Sequence, residues 1–215
     1  MCVPILPVCL LICISRMLNT TPRTIRIVVG LTGTIGSGKG AVVDRLVGRH
    51  GFVHYSARNF LLGELRRRKE LISDRLAMSN VANSLRAEHG SAYIVETLFM
   101  RALSSPSERV IIESIRDPLE IEALKRLGKS NFVLLAVDAK IHTRYVRVKA
   151  RKSETDQVSF DEFVFQEKLE MDNVEPGKQN LRKCIQAADH QLCNDGSLFD
   201  LNKSVDGFVG RYFGN

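Results

Sequence analysis

The sequence lacks the cysteine spacings and the long apolar runs that mark several classes of protein. None of its five cysteines forms a C-x-x-C pair, and no histidine lies at a finger-like distance from two of them. We therefore expect no zinc site and thiols that stay reduced. No stretch reaches the roughly 18 unbroken apolar residues that a membrane helix requires. Internal repeats and low-complexity tracts are also absent, and 215 residues suit one compact domain.

Acidic residues are absent from residues 1–26, which carry Arg16, Arg23 and Arg26. This segment contributes part of the formal net charge of +7. A basic balance suits an anionic small ligand and equally a nucleic acid. The charge alone therefore does not identify the partner.

An apolar run from Val3 to Ile14 precedes Arg16. It is similar to the core of a secretory signal, but no basic residue precedes it and no clear small-x-small cleavage site follows it. A mitochondrial or other organellar leader and an over-extended N-terminus upstream of Met17 stay open. We therefore leave residues 1–24 out of the fold and assign residues 25–215 to a single domain. The expected location is cytoplasmic, or mitochondrial or otherwise organellar if the leader is genuine.

Short apolar runs alternate with longer helical patterns from Ile25 onward. The first run is rich in β-branched residues and is followed by a glycine-rich segment, which is typical of a buried strand. This alternation predicts an α/β fold with a parallel sheet that is covered by helices on both faces. The predicted strands are 25–31, 52–55, 110–112, 132–137 and 190–193, and the predicted helices are 41–49, 57–70, 80–88, 92–103, 118–127, 141–151, 160–171, 178–187 and 197–213.

A glycine-rich segment follows the first predicted strand and reads G-x-x-x-x-G-K from Gly33 to Lys39. Glycines allow successive backbone N–H groups to point inward and form a nest for an anion, and the helix that follows adds its partial positive charge. The lysine can place an ammonium group against the outer phosphates of a nucleoside triphosphate. We predict a P-loop that binds ATP through Gly33, Thr34, Ile35, Gly36, Ser37, Gly38, Lys39, Gly40 and Ala41.

The two residues after the lysine change the expectation for Mg²⁺. In most P-loops the residue after the lysine supplies a hydroxyl group to the ion, which Gly40 and Ala41 cannot do. The ion would then be held by water, by phosphate oxygens and by an acid elsewhere, with Glu113 as the candidate acting through a water molecule. A degenerate, inactive loop is the alternative.

The loop resembles those of two families of nucleotide kinases. Residues 30–33 and 35–39 look like the opening of dephospho-CoA kinases, whereas Lys39-Gly40 looks like adenylate kinases. The combination is most similar to adenylate-kinase-related, dephospho-CoA-kinase-like proteins of archaea and bacteria. This resemblance implies a three-layer α/β/α P-loop NTPase fold with a five-stranded parallel sheet and a short lid. Two departures are Ala41, in place of a hydroxyl residue, and Tyr55-Ser56-Ala57-Arg58, where dephospho-CoA kinases carry a pair of aspartates.

The carboxyl ends of the second and third strands carry the acceptor-side candidates, because ligands gather at this edge of a doubly wound sheet. Ser56 and Arg58 are predicted to bind the acceptor, with a helix cap and a surface arginine as the alternative. Glu113 and Arg116 leave the third strand together. We predict catalytic roles for both, Glu113 in orienting the attacking group and Arg116 in binding phosphoryl oxygens. A structural ion pair between these two residues is the alternative.

Arg144, Arg147 and Arg151 are spaced to share one helical face and precede Lys152 and the polar turn 153–157. This arrangement resembles the short lid of nucleotide kinases, whose arginines close over the donor and neutralise the migrating phosphoryl charge. It implies catalytic roles for Arg147 and Arg151 and a donor-binding role for Arg144. The alternative is a solvated basic face.

A strand, a tight turn and a helix are predicted around Asn194 to Ser197, with Ser197 as a helix cap. The resemblance implies that Asn194 and Gly196 flank the base of the donor, and an ordinary turn is the alternative. Three histidines, His54, His142 and His190, show no paired spacing, so we interpret them as packing or surface residues.

The residues favour an ATP-dependent phosphotransferase whose acceptor is a nucleotide-like small molecule, in the manner of a nucleoside monophosphate kinase. Dephospho-CoA is the alternative acceptor. A regulatory NTPase is a different class, but Asn202-Lys203-Ser204-Val205 departs from the N-K-x-D pattern that reads guanine. A role on nucleic acid is disfavoured, because the basic run Arg66–Lys69 has no interleaved aromatic residues for base stacking. We expect no membrane anchor.

Overall fold

The computed structural model describes residues 27–68, 75–104, 107–151, 158–173 and 179–214. The predictions for residues 1–24, for Lys152 and for the turn 153–157 lie outside the described residues. Within these ranges no helix has the length and apolar character that crossing a membrane requires.

A parallel sheet of five strands forms the centre of the molecule, as predicted, in the order β2-β3-β1-β4-β5. Every residue of β1 is buried, which explains why this strand reads as a continuous apolar run instead of an alternating pattern. The strands are β1 (Ile27–Gly33), β2 (Val53–Ser56), β3 (Arg109–Glu113), β4 (Phe132–Asp138) and β5 (His190–Cys193).

Helices cover both faces of the sheet and make the three-layer arrangement. A short 3-10 turn (Lys129–Asn131) leads into β4. The helices are α1 (Lys39–His50), α2 (Ala57–Arg68), α3 (Arg75–His89), α4 (Tyr93–Leu103), α5 (Pro118–Gly128), α6 (Ile141–Ala150), α7 (Phe160–Met171), α8 (Leu181–Gln186) and α9 (Leu198–Phe213).

Two hydrophobic cores lie on opposite faces of the sheet, because successive residues of a strand point to opposite sides. Val28 belongs to the core beneath helices α2 to α5, whereas Val29 and Leu31 belong to the core beneath α1 and α9. The α1 core also contains Ile111 of β3. A side chain of β3 that is two residues from Ile111 therefore lies on the same face of the sheet, the face covered by α1.

Strand β1 continues two residues beyond its predicted end at Leu31. Thr32 and Gly33 pair with β4, and the hydroxyl group of Thr32 donates a hydrogen bond to the carbonyl oxygen of Ile115 at 2.8 Å. A buried polar side chain with such a partner does not interrupt a strand. The helix predicted to begin at Asn80 also begins earlier, at Arg75.

Candidate phosphate-binding site

Two glycines of the loop allow the chain to approach its neighbours more closely than any side chain permits. Gly33 has φ 139°, and a Cβ atom there would lie 2.0 Å from the carbonyl oxygen of Val137. Gly38 has φ 102°, and its Cβ atom would lie 2.2 Å from Nδ2 of Asn194. Both positions combine a left-handed φ with contact against neighbouring atoms, so only glycine fits. The loop consequently curls tightly between β1 and α1.

Polar contacts from the ends of β4 and β5 hold the loop in this conformation. Thr34 donates a hydrogen bond from its hydroxyl group to Asp138 at 2.6 Å. Asn194 donates from Nδ2 to the carbonyl oxygen of Ser37 at 2.8 Å and from its backbone nitrogen to the carbonyl oxygen of Asp138 at 2.7 Å. Asp138 was not among the predicted site residues, although an acid at the carboxyl end of a central strand is a signal for one.

Lys39 lies at the first turn of α1, and its ammonium group turns back into the loop. It donates hydrogen bonds to the carbonyl oxygens of Gly33 and Thr34, each at 2.8 Å. Burial, together with the positive charge of Arg116, lowers the pKa of Lys39 to about 7. The loop of residues 33–39, here called the phosphate cradle, therefore contains an amine. A bound polyphosphate would raise the pKa of this amine and convert it fully to the ammonium form.

ATP binding is expected to take up a proton at Lys39. The pKa of about 7 leaves most of the amine neutral at about pH 8, and the charge of a triphosphate raises that pKa, so binding draws in nearly one proton. Calorimetric titrations in buffers of different ionisation enthalpy measure this uptake as a dependence of the apparent binding enthalpy on the buffer. Below about pH 6 the uptake should disappear. An enthalpy that is independent of buffer at about pH 8 would contradict the assignment.

Glu113 ends β3 and is paired with a histidine of the neighbouring strand. Its Oε2 atom lies 2.9 Å from Nε2 of His54. Burial would raise the pKa of Glu113, but the hydrogen bond and charge of His54, with the charges of Lys39 and Arg116, lower it below its ordinary value. The interpretation of His54 as a packing or surface residue did not include this contact, which depends on the pairing of the two strands. His142 and His190 do pack against aromatic rings, those of Phe160 and Phe208.

Arg116 follows β3 and is oriented by contacts on both its side chain and its backbone. The guanidinium group donates to Glu170 at 2.8 Å and to the side chain of Gln179 at 3.0 Å, so it does not pair with Glu113. The backbone nitrogen donates to Glu120 at 2.9 Å. Glu120 is itself buried and paired with Arg86. Because Arg116 also influences the pKa of Lys39, its charge reaches the phosphate cradle.

The three arginines of α6 lie in different environments. Arg144 is buried, donates from Nε to the carbonyl oxygen of Ala139 at 2.6 Å and forms a two-pronged ion pair with Glu167. Arg147 donates to the carbonyl oxygen of Asn194 at 2.8 Å, and Arg151 is exposed at the end of the helix. Arg151 nevertheless influences the pKa of Lys39. Arg144 thus contacts the loop at the carbonyl oxygen of Ile35, whereas Arg147 contacts the turn after β5.

The remaining predicted positions lie at the rim of the same edge. Ser56 accepts a hydrogen bond from the backbone nitrogen of Asn59 at 3.3 Å, and the side chain of Arg58 is exposed. Gly196 lies in the turn between β5 and α9. Ser197 caps α9 in a capping box with Asp200, as predicted. The cap and the exposed arginine leave the acceptor-binding role of Ser56 and Arg58 as a prediction.

The loop offers Mg²⁺ few direct ligands. The described residues contain no group of three or more His, Cys, Asp or Glu side chains that could hold a metal ion. The hydroxyl group of Thr34 is occupied by Asp138, and that of Ser37 is buried without a hydrogen-bond partner. Ile35 and Gly36 bring no ligand atom beyond their backbone. The residues present therefore fit an ion that is held by phosphate oxygens and water, with Glu113 as one of the carboxylates at this edge of the sheet.

The sheet order, the curled loop and the lysine at the start of α1 together define a P-loop protein of the kinase type. The chain belongs to the AAA domain family, which matches residues 29–175, and to the UPF0200 proteins. It is 30% identical over 179 residues to the UPF0200 protein of Methanothermobacter thermautotrophicus, an alignment that covers 83% of this chain and 87% of that relative.

Solved structures with the same fold confirm the architecture. The chain is similar to TT1252 from Thermus thermophilus, with a TM-score of 0.59, 22% sequence identity, and coverage of 86% of this chain and 97% of that one. It is also similar to a gluconokinase from Sinorhizobium meliloti, with a TM-score of 0.55, 10% identity, and coverage of 88% and 94%. These likenesses establish the P-loop kinase fold, while the adenylate-kinase or dephospho-CoA-kinase subtype stays a prediction.

Proposed function

We propose that this protein is a phosphotransferase that moves the γ-phosphoryl group of ATP to a nucleotide-like small molecule. The observation that carries the proposal is the convergence of three charges at one edge of the sheet. Glu113 ends β3 opposite Leu31 of β1, Lys39 turns its ammonium group back to the carbonyl oxygens of Gly33 and Thr34 after that strand, and the charges of Lys39 and Arg116 lower the pKa of Glu113. A kinase needs cations for the migrating phosphoryl group, and a carboxylate at this place can orient an attacking hydroxyl group or hold a magnesium-bound water molecule.

The donor site is assigned to the loop and to the elements that border it. Backbone N–H groups of residues 33–39 would bind the phosphates, and Lys39 would exchange its two loop carbonyl oxygens for phosphate oxygens. Mg²⁺, when bound through water and phosphate oxygens, would offset the charge of the polyphosphate. Arg147 contacts Asn194. Helix α6, which carries the arginines of the predicted lid, therefore lies beside the turn that is predicted to flank the base of the donor.

Arg116 and Arg151 are the cations proposed to stabilise the transition state. Arg116 is held by Glu170, whose side chain is about one-third exposed, so a phosphate can replace this carboxylate at modest cost. Arg151 is exposed and directly follows the last residue of α6. Its position at the end of α6 allows it to approach the donor when the lid closes.

The acceptor is proposed to lie at the carboxyl ends of β2 and β3, with Ser56 and Arg58 at the outer edge of its site. Ser56 is level with Glu113 in the sheet register, so both residues border the same opening. Arg58 is exposed and suits an anionic group of the acceptor. A nucleoside monophosphate and dephospho-CoA are the two candidate acceptors that the sequence favours.

Two measurements test the proposed function. Equilibrium titration with ATP and with GTP, each with Mg²⁺, should show binding of ATP. ADP formation should then depend on an added acceptor when nucleoside monophosphates and dephospho-CoA are supplied in turn. ADP formation at the same rate without any acceptor would instead indicate a regulatory NTPase, and absence of ATP binding would remove the proposal altogether.

A further inference from the structure

His54 and Glu113 lie on the face of the sheet that carries the phosphate cradle. In the register of β2 and β3, His54 is opposite Ile111 and Ser56 is opposite Glu113. Ile111 packs into the core beneath α1, so the alternation of side chains places Glu113 on the α1 face as well. Lys39 begins α1 on this same face. The pair therefore extends from the cradle toward the edge strand β2.

The hydrogen bond between them occupies only one oxygen of the carboxylate. Oε2 of Glu113 is 2.9 Å from Nε2 of His54, whereas no described residue donates a hydrogen bond to Oε1. The two side chains are 19% and 26% exposed respectively, so the pair is open to the solvent side of the site. An ionised carboxylate only accepts hydrogen bonds, and His54 is therefore the donor. One oxygen is fixed and the other is available to a ligand.

We infer that His54 is a positioning residue that fixes Glu113 so that its second oxygen accepts a hydrogen bond from an acceptor hydroxyl group. The inference rests on the proposed function and specifies its acceptor as an alcohol instead of a phosphate. His54 does not contact the reacting atoms. Its role is to hold the carboxylate in one rotamer beside Lys39 and Arg116.

The charge of Glu113 favours the hydroxyl group over a phosphate at this position. A carboxylate kept ionised by its neighbours repels the oxygens of an acceptor phosphate, but it attracts the proton of an alcohol. In the transfer the alcohol oxygen forms a bond to the γ-phosphorus while the bond from that phosphorus to the bridging oxygen breaks. ADP leaves with the bonding electrons, and the alcohol proton passes to Glu113. A phosphate acceptor is already deprotonated and needs no such group.

The chemical class of the product tests the acceptor. Nucleoside 5′-monophosphates offer both a phosphate and ribose hydroxyl groups in one molecule, and dephospho-CoA offers a ribose hydroxyl group beside a diphosphate. Phosphorus NMR of the products should show a new phosphomonoester on a hydroxyl group. A new phosphoanhydride would overturn the inference and leave the proposed function intact, whereas failure to bind ATP would remove the proposed function itself.

Two substitutions at His54 test the positioning role. His54→Gln keeps an N–H donor at a similar reach, and His54→Phe removes it while retaining a residue that suits a strand. We expect His54→Phe to lower kcat by about 10- to 100-fold, with ATP affinity and acceptor KM nearly unchanged, and His54→Gln to stay within a few-fold of wild type. Circular dichroism and thermal unfolding establish that both variants are folded.

A second His–Glu pair provides the matched control. His89 and Glu88 approach to 3.7 Å at the exposed end of α3, so His89→Phe should leave kcat unchanged. Equal loss of kcat in both His54 variants would overturn positioning by N–H donation. Wild-type kcat in both variants would overturn any role of His54.

Discussion

Replacing Lys39 by methionine is expected to lower the rate of phosphoryl transfer by at least about 10²- to 10³-fold, the effect of removing one charge-stabilising group from a transition state. Methionine has a similar length and no charge, so it keeps the volume of the side chain inside the loop. ATP binding should weaken less than kcat falls, because loop amides supply most of the ground-state contacts. Steady-state kinetics and equilibrium titration on the same preparation separate the two effects.

An exposed lysine on α5 gives the matched control. Lys125→Met makes the same chemical change on the surface, away from the cradle, and should leave both kcat and ATP affinity unchanged. Full activity of a folded Lys39→Met variant would contradict the proposed mechanism. An equal loss of kcat in Lys39→Met and Lys125→Met would mean that the net charge of the protein, and not the position of Lys39, controls the rate.

The low pKa of Lys39 also predicts how the free energy of unfolding of wild type, relative to that of Lys39→Met, depends on pH. The amine titrates at about 7 in the folded protein and at about 10.5 when unfolded, so between these values the unfolded chain binds more protons. Free energy of unfolding therefore rises with pH across this window, and the unfavourable burial of the charge is fully present only below about pH 7. Wild type should gain stability relative to Lys39→Met as the pH rises from about 7 to 10.5.

The sheet and the loop were predictable because their signals are local. A β-branched run, glycines at fixed spacing and a lysine at the start of a helix lie within residues 27–39, so neighbouring positions carry the whole pattern. The helix 160–171 was predicted with its observed bounds, since Ser159 and the first acidic turn mark its start. Local propensity and capping determine features of this kind.

The contacts that brace the site were not predictable, because they join residues far apart in the chain. Thr34 and Asp138 are 104 positions apart, and His54 and Glu113 are 59 positions apart. Only the order and register of the strands bring each pair together. The short strand β2 has just four residues, too few for an alternating pattern to show that the side chain of His54 meets that of Glu113.

The positions of Arg144, Arg147 and Arg151 along the chain predicted their helix but not their individual contacts. Their spacing correctly places Arg144 and Arg147 on one helix, with Arg151 directly after its last residue, but the sequence does not reveal which of them faces a carboxylate of α7. Glu167 of α7 pairs with Arg144 of α6, so the environment of each arginine depends on tertiary packing. Arg144 is held by Glu167, whereas its donor-binding role and the catalytic roles of Arg147 and Arg151 stay predictions.

Replacing Gly33 by alanine is expected to destabilise the protein by about 3 kcal/mol or more, because the new methyl group combines a left-handed backbone with a collision against backbone. At φ 139° its Cβ atom would lie 2.0 Å from the carbonyl oxygen of Val137. Strand β4 cannot move away, since it pairs with β1 from Val28 to Gly33. The loop must shift instead, and with it the carbonyl oxygen that holds Lys39.

Denaturant unfolding and ATP titration of the same variant separate these consequences. Gly48→Ala on the exposed face of α1 is the matched control, because a Cβ atom there meets nothing within 4 Å. That variant should gain about 0.5 to 1 kcal/mol, as alanine stabilises a helix interior relative to glycine, and should bind ATP as wild type does. Gly33→Ala should lose ATP affinity even at temperatures where it remains folded, because the amides of the nest no longer converge. Unaltered affinity in a folded Gly33→Ala protein would show that the closeness of β1 and β4 does not shape the cradle.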